Sequence, residues 1–248
     1  MASKKTRLDV ALVDRGLAAS RERARALIMA GQVRVDGQVV SKAGASVALA
    51  AAIELDVADH PYVSRGGVKL AHALDDFGID PSGKRALDVG ASTGGFTDAL
   101  LRRGAASVIA LDVGRGQLDW KLRTDPRVDV HDGVNARHLT ADDVPHPVDL
   151  VVIDVSFISL DHILPSLPPF LADNADVVAL VKPQFEAGRK QVGKHGLVTD
   201  PAVHEEVIAK VTAQAEAVGL TRLAMTPSAI KGATGNQEFF LHLRRAQG

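Results

Sequence analysis

The chain has 248 residues, 46% hydrophobic and 24% charged, enough apolar material for a sizeable core in one or two domains. Its 29 Lys/Arg against 30 Asp/Glu leave a net charge of −1, which excludes a uniformly basic polycation, and the lack of cysteine excludes a disulfide scaffold, a thiolate metal site and a cysteine nucleophile. No apolar signal core follows Met1-Ala2-Ser3-Lys4-Lys5-Thr6-Arg7. The longest uncharged small-apolar stretch, Ala43 to Ile53, is 11 residues, short of the ~18–20 that a spanning helix needs. A cytoplasmic protein with no membrane contact is expected, and the sequence leaves the oligomeric state open.

The near-zero charge is a cancellation. Residues 1–45 hold nine Lys/Arg and four Asp/Glu, net +5, while the remaining 203 hold 20 against 26, net −6. A basic head on an acidic body suggests that the head meets a polyanion. In the head, Leu8, Leu12 and Val13 have helical spacing, closed by Gly16. Ser20 is placed to cap a second helix, with Ala24, Leu27 and Ile28 on one face, Arg21 and Arg25 one turn apart on another, and Gly31 as the stop. Val33-Arg34-Val35, Asp36-Gly37 and Gln38-Val39-Val40 then read as a hairpin with a type I′ turn. Arginines on two short helices beside a hairpin suit a reader of backbone phosphates, with Lys4, Lys5, Arg7, Arg21, Arg25 and Lys42 as RNA contacts and Arg65 as a further one downstream.

Arg7-Leu8-Asp9, Gly16, Ser20-Arg21, Ala24, Leu27-Ile28, Gly31, Val33, Val35, Gly37 and Val40-Ser41-Lys42 together resemble the S4-type RNA-binding domain, over about residues 6–55. Pseudouridine synthases carry a catalytic aspartate in an Arg-Leu-Asp setting, but here the tripeptide opens the RNA-binding unit, so Asp9 reads as structural. Near Ala58-Asp59-His60-Pro61, Pro61 biases His60 to an extended conformation. The expected division is an RNA-binding domain over 1–59, a linker over 60–64 and a larger domain over 65–248.

From Lys84 on, nearly continuous apolar runs alternate with helical segments. Strands are expected at Arg85–Val89, Ser107–Val113, Arg127–Val130, Asp149–Asp154, Asp176–Lys182, Arg222–Pro227 and Glu238–Leu243. The clearest helix has Asp200 as cap, Pro201 in its first turn and a stripe of Val203, Val207, Val211, Ala215 and Val218 before Gly219. The fold class is α/β: a Rossmann-like, mostly parallel seven-stranded sheet behind a small α+β head, with ligands at the C-terminal strand ends.

The first strand of the sheet runs into Asp88-Val89-Gly90-Ala91-Ser92-Thr93-Gly94-Gly95-Phe96-Thr97. This turn is neither G-x-G-x-x-G nor a Walker loop, and an acid at Asp88 would repel a pyrophosphate. The acid suits the cationic amino acid end of S-adenosylmethionine, with Gly90, Ser92, Gly94, Gly95 and Phe96 forming the cradle. Asp112 ends the second strand, where an acid can bind ribose hydroxyls, and Asp132 and Asn135 follow the third, at the level of an adenine edge. Each of these acids taken alone is as readily a turn or cap residue.

Four ionisable groups, Lys69, Asp154, Lys182 and Glu238, fall where strand ends or a helix would deliver them to one cleft. Taken singly, Lys69 and Glu238 could be rim salt bridges. Asp154 and Lys182 end strongly apolar runs, where a charge is costly unless paired.

Ser64-Arg65-Gly66-Gly67-Val68-Lys69-Leu70, the Asp88–Thr97 turn, Asp154-Val155-Ser156-Phe157-Ile158-Ser159-Leu160, Val181-Lys182-Pro183-Gln184-Phe185-Glu186 and Gly235-Asn236-Gln237-Glu238-Phe239 resemble the FtsJ-like ribose 2′-O-methyltransferases. Head included, the chain resembles the TlyA family, whose members also carry the name hemolysin. Ser92-Thr93 departs from the proline that broader FtsJ-like enzymes have in this turn, a departure the TlyA branch shares. The resemblance implies a Lys69-Asp154-Lys182-Glu238 tetrad and S-adenosylmethionine-dependent 2′-O-methylation of cytidines in ribosomal RNA, with ribosomal subunits as partners. It also implies that longer N-termini accompany action on both subunits, and Ser3-Lys4-Lys5-Thr6-Arg7 looks like the longer type. Lys182 would contact the 2′-oxygen, as a base or as an electrostatic stabiliser.

Gly188–Gly196 is a basic, glycine-rich loop that either closes over RNA or is an ordinary surface loop. His195 has no partner at metal-ligand spacing, and no metal is expected. A non-catalytic RNA-binding assembly factor, a membrane-active hemolysin and a small-molecule methyltransferase are the competing readings.

Overall fold

The computed structural model describes residues 5–18, 20–29, 31–55 and 60–245. It divides into two compact units, residues 1–61 and 62–248.

In the first unit, β1 (Lys5–Arg7) runs directly into α1 (Leu8–Asp14), followed by α2 (Arg21–Met29), β2 (Val33–Val35), β3 (Gln38–Val39), β4 (Ser46–Ala48) and β5 (Ile53–Leu55). β1 pairs antiparallel with β4, and β2 lies between β3 and β5. Leu8, Leu12, Leu27, Ile28 and Val33 are its buried centre. The Arg23 amide donates to Ser20 Oγ at 3.1 Å, the capping bond expected at the third position of a helix. Asp36 (φ 51°) and Gly37 (φ 79°) both have the positive φ that a type I′ turn requires. Lys4 lies outside the described residues.

The second unit carries α3 (Arg65–Phe77), β6 (Arg85–Val89), α4 (Gly95–Arg102), β7 (Ser107–Asp112), α5 (Trp120–Arg123), β8 (Val128–Asp132), β9 (Val148–Ile153), β10 (Leu171–Val181), α6 (Pro183–Glu186), α7 (Pro201–Ala217), β11 (Leu220–Pro227) and β12 (Phe239–Arg245). The seven strands form one sheet in the order β11-β12-β10-β9-β6-β7-β8. The chain alternates parallel strands across the centre, and only the pairings of β12 are antiparallel. Successive residues of a strand face opposite sides. On β9, Leu150 and Val152 pack with α3 and α4, while Val151 and Ile153 pack on the side of α7. Burial on both faces explains why these strands read as unbroken apolar runs.

Several boundaries differ from expectation. β8 extends through Asp132, because its last residue still pairs with Asp112. β10 starts at Leu171, with a register shift against β9 before Asp176. Tyr62 and Val63, in the expected linker, pack on the core beside α3 and α4. Gly67 makes this fit: a Cβ there would lie 2.3 Å from the Tyr62 ring.

Candidate active site

Strand register brings the sequence-predicted charges to one edge of the sheet. Val89 of β6 pairs with Ile153 of β9, so Gly90 and Asp154 leave their strands at the same level. Val181 of β10 pairs with Phe239 of β12, so Lys182 and Glu238 each lie one residue beyond the last pair. Both sit at the C-terminal end of the parallel strands, because β12 runs the opposite way.

The tetrad resolves into two ion pairs. Lys182 Nζ lies 2.6 Å from Asp154 Oδ1 and donates to Ser156 Oγ at 2.8 Å. Lys69 Nζ, from α3, lies 2.5 Å from Glu238 Oε2. Lys69, Lys182 and Glu238 are buried and Asp154 is partly exposed. Close pairing is what makes buried charges tolerable here. Gly232 belongs to the same arrangement, since a Cβ on it would fall 2.3 Å from Glu238 Oε1.

The loop after Asp154 is held from below. Glu186, buried at the end of α6, accepts from Ser159 Oγ at 2.6 Å and from the Leu160 amide at 2.7 Å. The basic loop is tied in through Asn236, whose side chain donates to the Gly196 carbonyl at 2.8 Å and accepts from the Val198 amide at 2.8 Å. Ser156, Glu186, Asn236 and Gly232 were missed as site residues. Each lies inside a motif or beside one; Ser156, Glu186 and Asn236 act through contacts to segments 26 to 40 positions away, and Gly232 through Glu238 in its own segment.

The glycine turn borders a cavity of ≈ 480 Å³ lined by residues that include Gly90, Ser92, Asp112, Val113, Asn135 and Asp154. Gly90 (φ 86°) and Gly94 (φ 97°) adopt backbone conformations that L side chains rarely reach. A Cβ on Gly90 would also strike the Asp154 carbonyl at 2.4 Å. Asp112 shapes the turn, accepting from the Ser92 amide at 2.8 Å and the Gly114 amide at 2.7 Å. Asp88 faces α4, where Thr97 Oγ1 donates to its Oδ2 at 2.6 Å. Its Oδ1 is buried with no partner among the described residues. Burial pushes the Asp88 carboxyl up to about 7, against the opposing Thr97 hydrogen bond.

Other predicted cofactor residues are placed differently. Asp132 does not line the cavity; its Oδ2 pairs with Arg123 Nη2 at 2.5 Å. Asn135 does line it, with its Oδ1 capping the following turn through the Arg137 amide at 3.2 Å. Gly95 and Phe96 open α4, and Phe96 is buried against Phe240 with ring centroids 6.1 Å apart.

In the first unit, Arg7, Arg21 and Arg25 converge on one acid. Their guanidiniums lie 2.9, 3.2 and 3.3 Å from Asp9 Oδ2. Asp9 is fully buried, while the three arginine side chains are about half exposed. The Arg7 guanidinium, helped by Arg21 and Arg25, holds the Asp9 carboxyl well below the usual carboxylate range despite its burial. Lys5 and Lys42 are exposed. Arg65, in the second unit, donates to the Lys231 carbonyl at 2.8 Å.

Among the described residues no group of His, Asp and Glu could hold a metal ion, and no helix is long and apolar enough to cross a membrane.

Comparison with known proteins fits both units. Residues 62–245 match the FtsJ-like methyltransferase family and residues 6–49 match the S4 domain. The 16S/23S rRNA (cytidine-2′-O)-methyltransferase TlyA of Mycobacterium tuberculosis is 47% identical over 98% of this chain and 91% of its own length. A solved Streptococcus thermophilus structure named as a hemolysin is 43% identical, with a TM-score of 0.78 over 100% of this chain and 90% of that one. An S-adenosylmethionine-dependent methyltransferase of Listeria monocytogenes, 14% identical, shares the fold alone, with a TM-score of 0.56 over 74% of this chain and 100% of that one. The chain therefore belongs to the FtsJ-like methyltransferases and, within them, to the S4-domain group that contains the TlyA enzymes.

Proposed function

We propose that this methyltransferase transfers the methyl group of S-adenosylmethionine to the ribose 2′-hydroxyl of cytidines in ribosomal RNA, in the cytoplasm and on one or both ribosomal subunits. The observation that carries the reading is Lys182 held between Asp154 and Ser156 beside the glycine turn.

The residues at the turn fit the cofactor. Asp88 is fully buried and does not itself line the cavity; its Oδ1, without a partner among the described residues, would act on a cationic amino group through the turn. Gly90 and Gly94 leave room for close backbone approach. Asp112 would hold the ribose hydroxyls, and Val113 and Asn135 the adenine; the Asp132 carboxylate is already engaged by Arg123. Bound S-adenosylmethionine supplies an electrophilic methyl on a sulfonium centre.

This chain's own residues then orient the nucleophile. A lysine ammonium has three donors. On Lys182, Ser156 takes one, the Asp154 carboxylate faces the ammonium as an ion pair, and a donor is left for the 2′-oxygen. That donor stabilises negative charge developing on the oxygen as its proton is released to solvent. Asp154 fixes the lysine's direction, which in-line transfer requires. Lys69 neutralises Glu238, leaving the second pair to shape the pocket around the ribose. In the first unit, the half-exposed arginines around Asp9 would bind RNA phosphates, with Lys5 and Lys42 adding charge.

The test uses labelled S-adenosylmethionine with separated ribosomal subunits from a strain lacking this modification, followed by mapping of 2′-O-methyl groups. Label confined to cytidine riboses is expected. Lys182→Ala should abolish transfer while cofactor binding stays measurable, and near-wild-type turnover in that variant would sink the assignment.

A further inference from the structure

Trp120 is the chain's single tryptophan, and it is 73% exposed. A single exposed aromatic is ordinary on a protein surface, but one on a rigidly held segment with cations nearby in the chain has the makings of a stacking face. That is the case here. Helix α5 is fastened to the glycine turn by the buried Leu118 and Leu122, which pack so closely that a Cβ on Gly94 would lie 2.8 and 2.3 Å from them. The Asp119 amide donates to the Thr93 carbonyl at 3.1 Å, and Ser92 Oγ meets Gln117 Oε1 at 3.3 Å. Asp119 caps the helix through the Lys121 amide at 2.9 Å, and Arg123 is tied to Asp132. The apolar side of α5 is thus buried against the turn, and the indole stands on the side left in water.

The charge around Trp120 selects its partner. Residues 46–248 sum to net −6, yet residues 113–127 hold Arg115, Lys121, Arg123 and Arg127 against Asp119 and Asp125, net +2. Asp125 is paired with Arg127 at 2.8 Å and Asp119 is used as the cap. Arg115 and Lys121 are exposed within five residues of Trp120 in the chain, and Arg137 is exposed at the cavity. A rigid aromatic face flanked by cations suits a nucleobase with its phosphates: the base stacks on the ring and the backbone meets the cations. Only an unpaired base offers its face in this way, because bases inside an RNA helix are already stacked.

We propose that Trp120, with Arg115 and Lys121, forms a second RNA-binding surface on the methyltransferase unit, which stacks an unpaired nucleotide neighbouring the target cytidine. This rests on the reading of the protein as a ribosomal RNA methyltransferase. Trp120 is a binding residue that touches neither the cofactor nor the reacting atoms.

The full chain is tested in two arms. In the first, Trp120→Ala, Trp120→Phe and Lys121→Ala are compared with the wild type for methyl transfer to unmodified ribosomal subunits and for S-adenosylmethionine affinity by calorimetry. Trp120→Ala should raise KM for subunits about tenfold, the scale of losing one base–aromatic stack, with kcat and cofactor affinity nearly unchanged. Trp120→Phe should recover most of the loss. An unchanged KM, or a cofactor affinity that falls in parallel, overturns the proposal. In the second arm, emission from this lone tryptophan is followed while a 12-nucleotide oligocytidine is added, with Trp120→Phe as the blank. Quenching supports stacking even if the wild type methylates neither subunit, an outcome that would instead remove the functional reading. A raised KM for subunits without quenching by the oligonucleotide would identify a ribosomal protein as the partner and overturn RNA stacking.

Discussion

Lys69 and Glu238 meet at 2.5 Å although 169 positions separate them in the chain. The pair ties α3 to the segment entering β12, and both side chains are nearly excluded from water. Removing one partner leaves the other charge buried and alone, which costs about 3–5 kcal/mol. Glu238→Ala and Lys69→Ala should each lower stability on that scale in denaturant titrations and lose methyl transfer. The double variant Lys69→Met/Glu238→Leu should regain much of the stability and none of the activity. Recovery of both would mean that the pair is only structural.

Ser156 lines the cavity and receives a hydrogen bond from Lys182. Ser156→Ala should leave S-adenosylmethionine affinity intact and reduce kcat about ten- to a hundredfold, the scale of one hydrogen bond to a charged group. Single-turnover kinetics at saturating RNA measure this directly. A kcat equal to wild type would show that Asp154 alone orients the lysine.

Asp88 is expected to make cofactor binding depend on pH. Burial raises its carboxyl to about 7, so between its unfolded value and neutrality the folded protein holds a proton that the unfolded chain has lost. Its contribution to stability is therefore present at low pH and falls as pH rises through about 7. A cationic ligand favours the ionised carboxylate, so S-adenosylmethionine affinity should rise over the same interval. Asp88→Asn should flatten the affinity profile, weaken binding and raise the melting temperature at pH above 7. A wild-type affinity independent of pH across this range would contradict the assignment.

Asp9 has the opposite sign. Its carboxyl is held below the ordinary range by Arg7, Arg21 and Arg25, so the stability it contributes is complete above the ordinary carboxylate range and is lost only as pH falls toward its lowered folded value. Asp9→Asn should destabilise the first unit by about 1–3 kcal/mol, the scale of lost charge-assisted hydrogen bonds. RNA affinity should also fall although one negative charge has been removed, because the three arginines lose their common anchor. Filter binding across a salt series separates these effects, and tighter binding with unchanged salt dependence would show that Asp9 serves folding alone.

Much of this fold is legible in one dimension. Apolar runs that face helices on both sides must be continuous, so β6, β7, β9 and β10 are visible as such. The Asp200-Pro201 start of α7 and the Asp36-Gly37 turn depend on residues adjacent in the chain. Charges at the ends of apolar runs stand out because burial penalises them, which is why Asp154 and Lys182 are conspicuous. Asp132 shows the limit of the same approach: its place at a strand end is legible, but its engagement by Arg123 is not.

The local code thus specifies the strands, the helix caps, the turn that requires glycine and the charged residues that need partners, because each depends on neighbours within a turn or a pleat. Which charges pair is a property of the folded chain. Sheet order and register bring Lys182 beside Asp154 and Ser156, while helix packing brings Lys69 to Glu238 and three arginines around Asp9, and leaves Trp120 in water. These relations join separate elements, from 2 to 169 positions apart in the chain, and only the packing of those elements sets their distances.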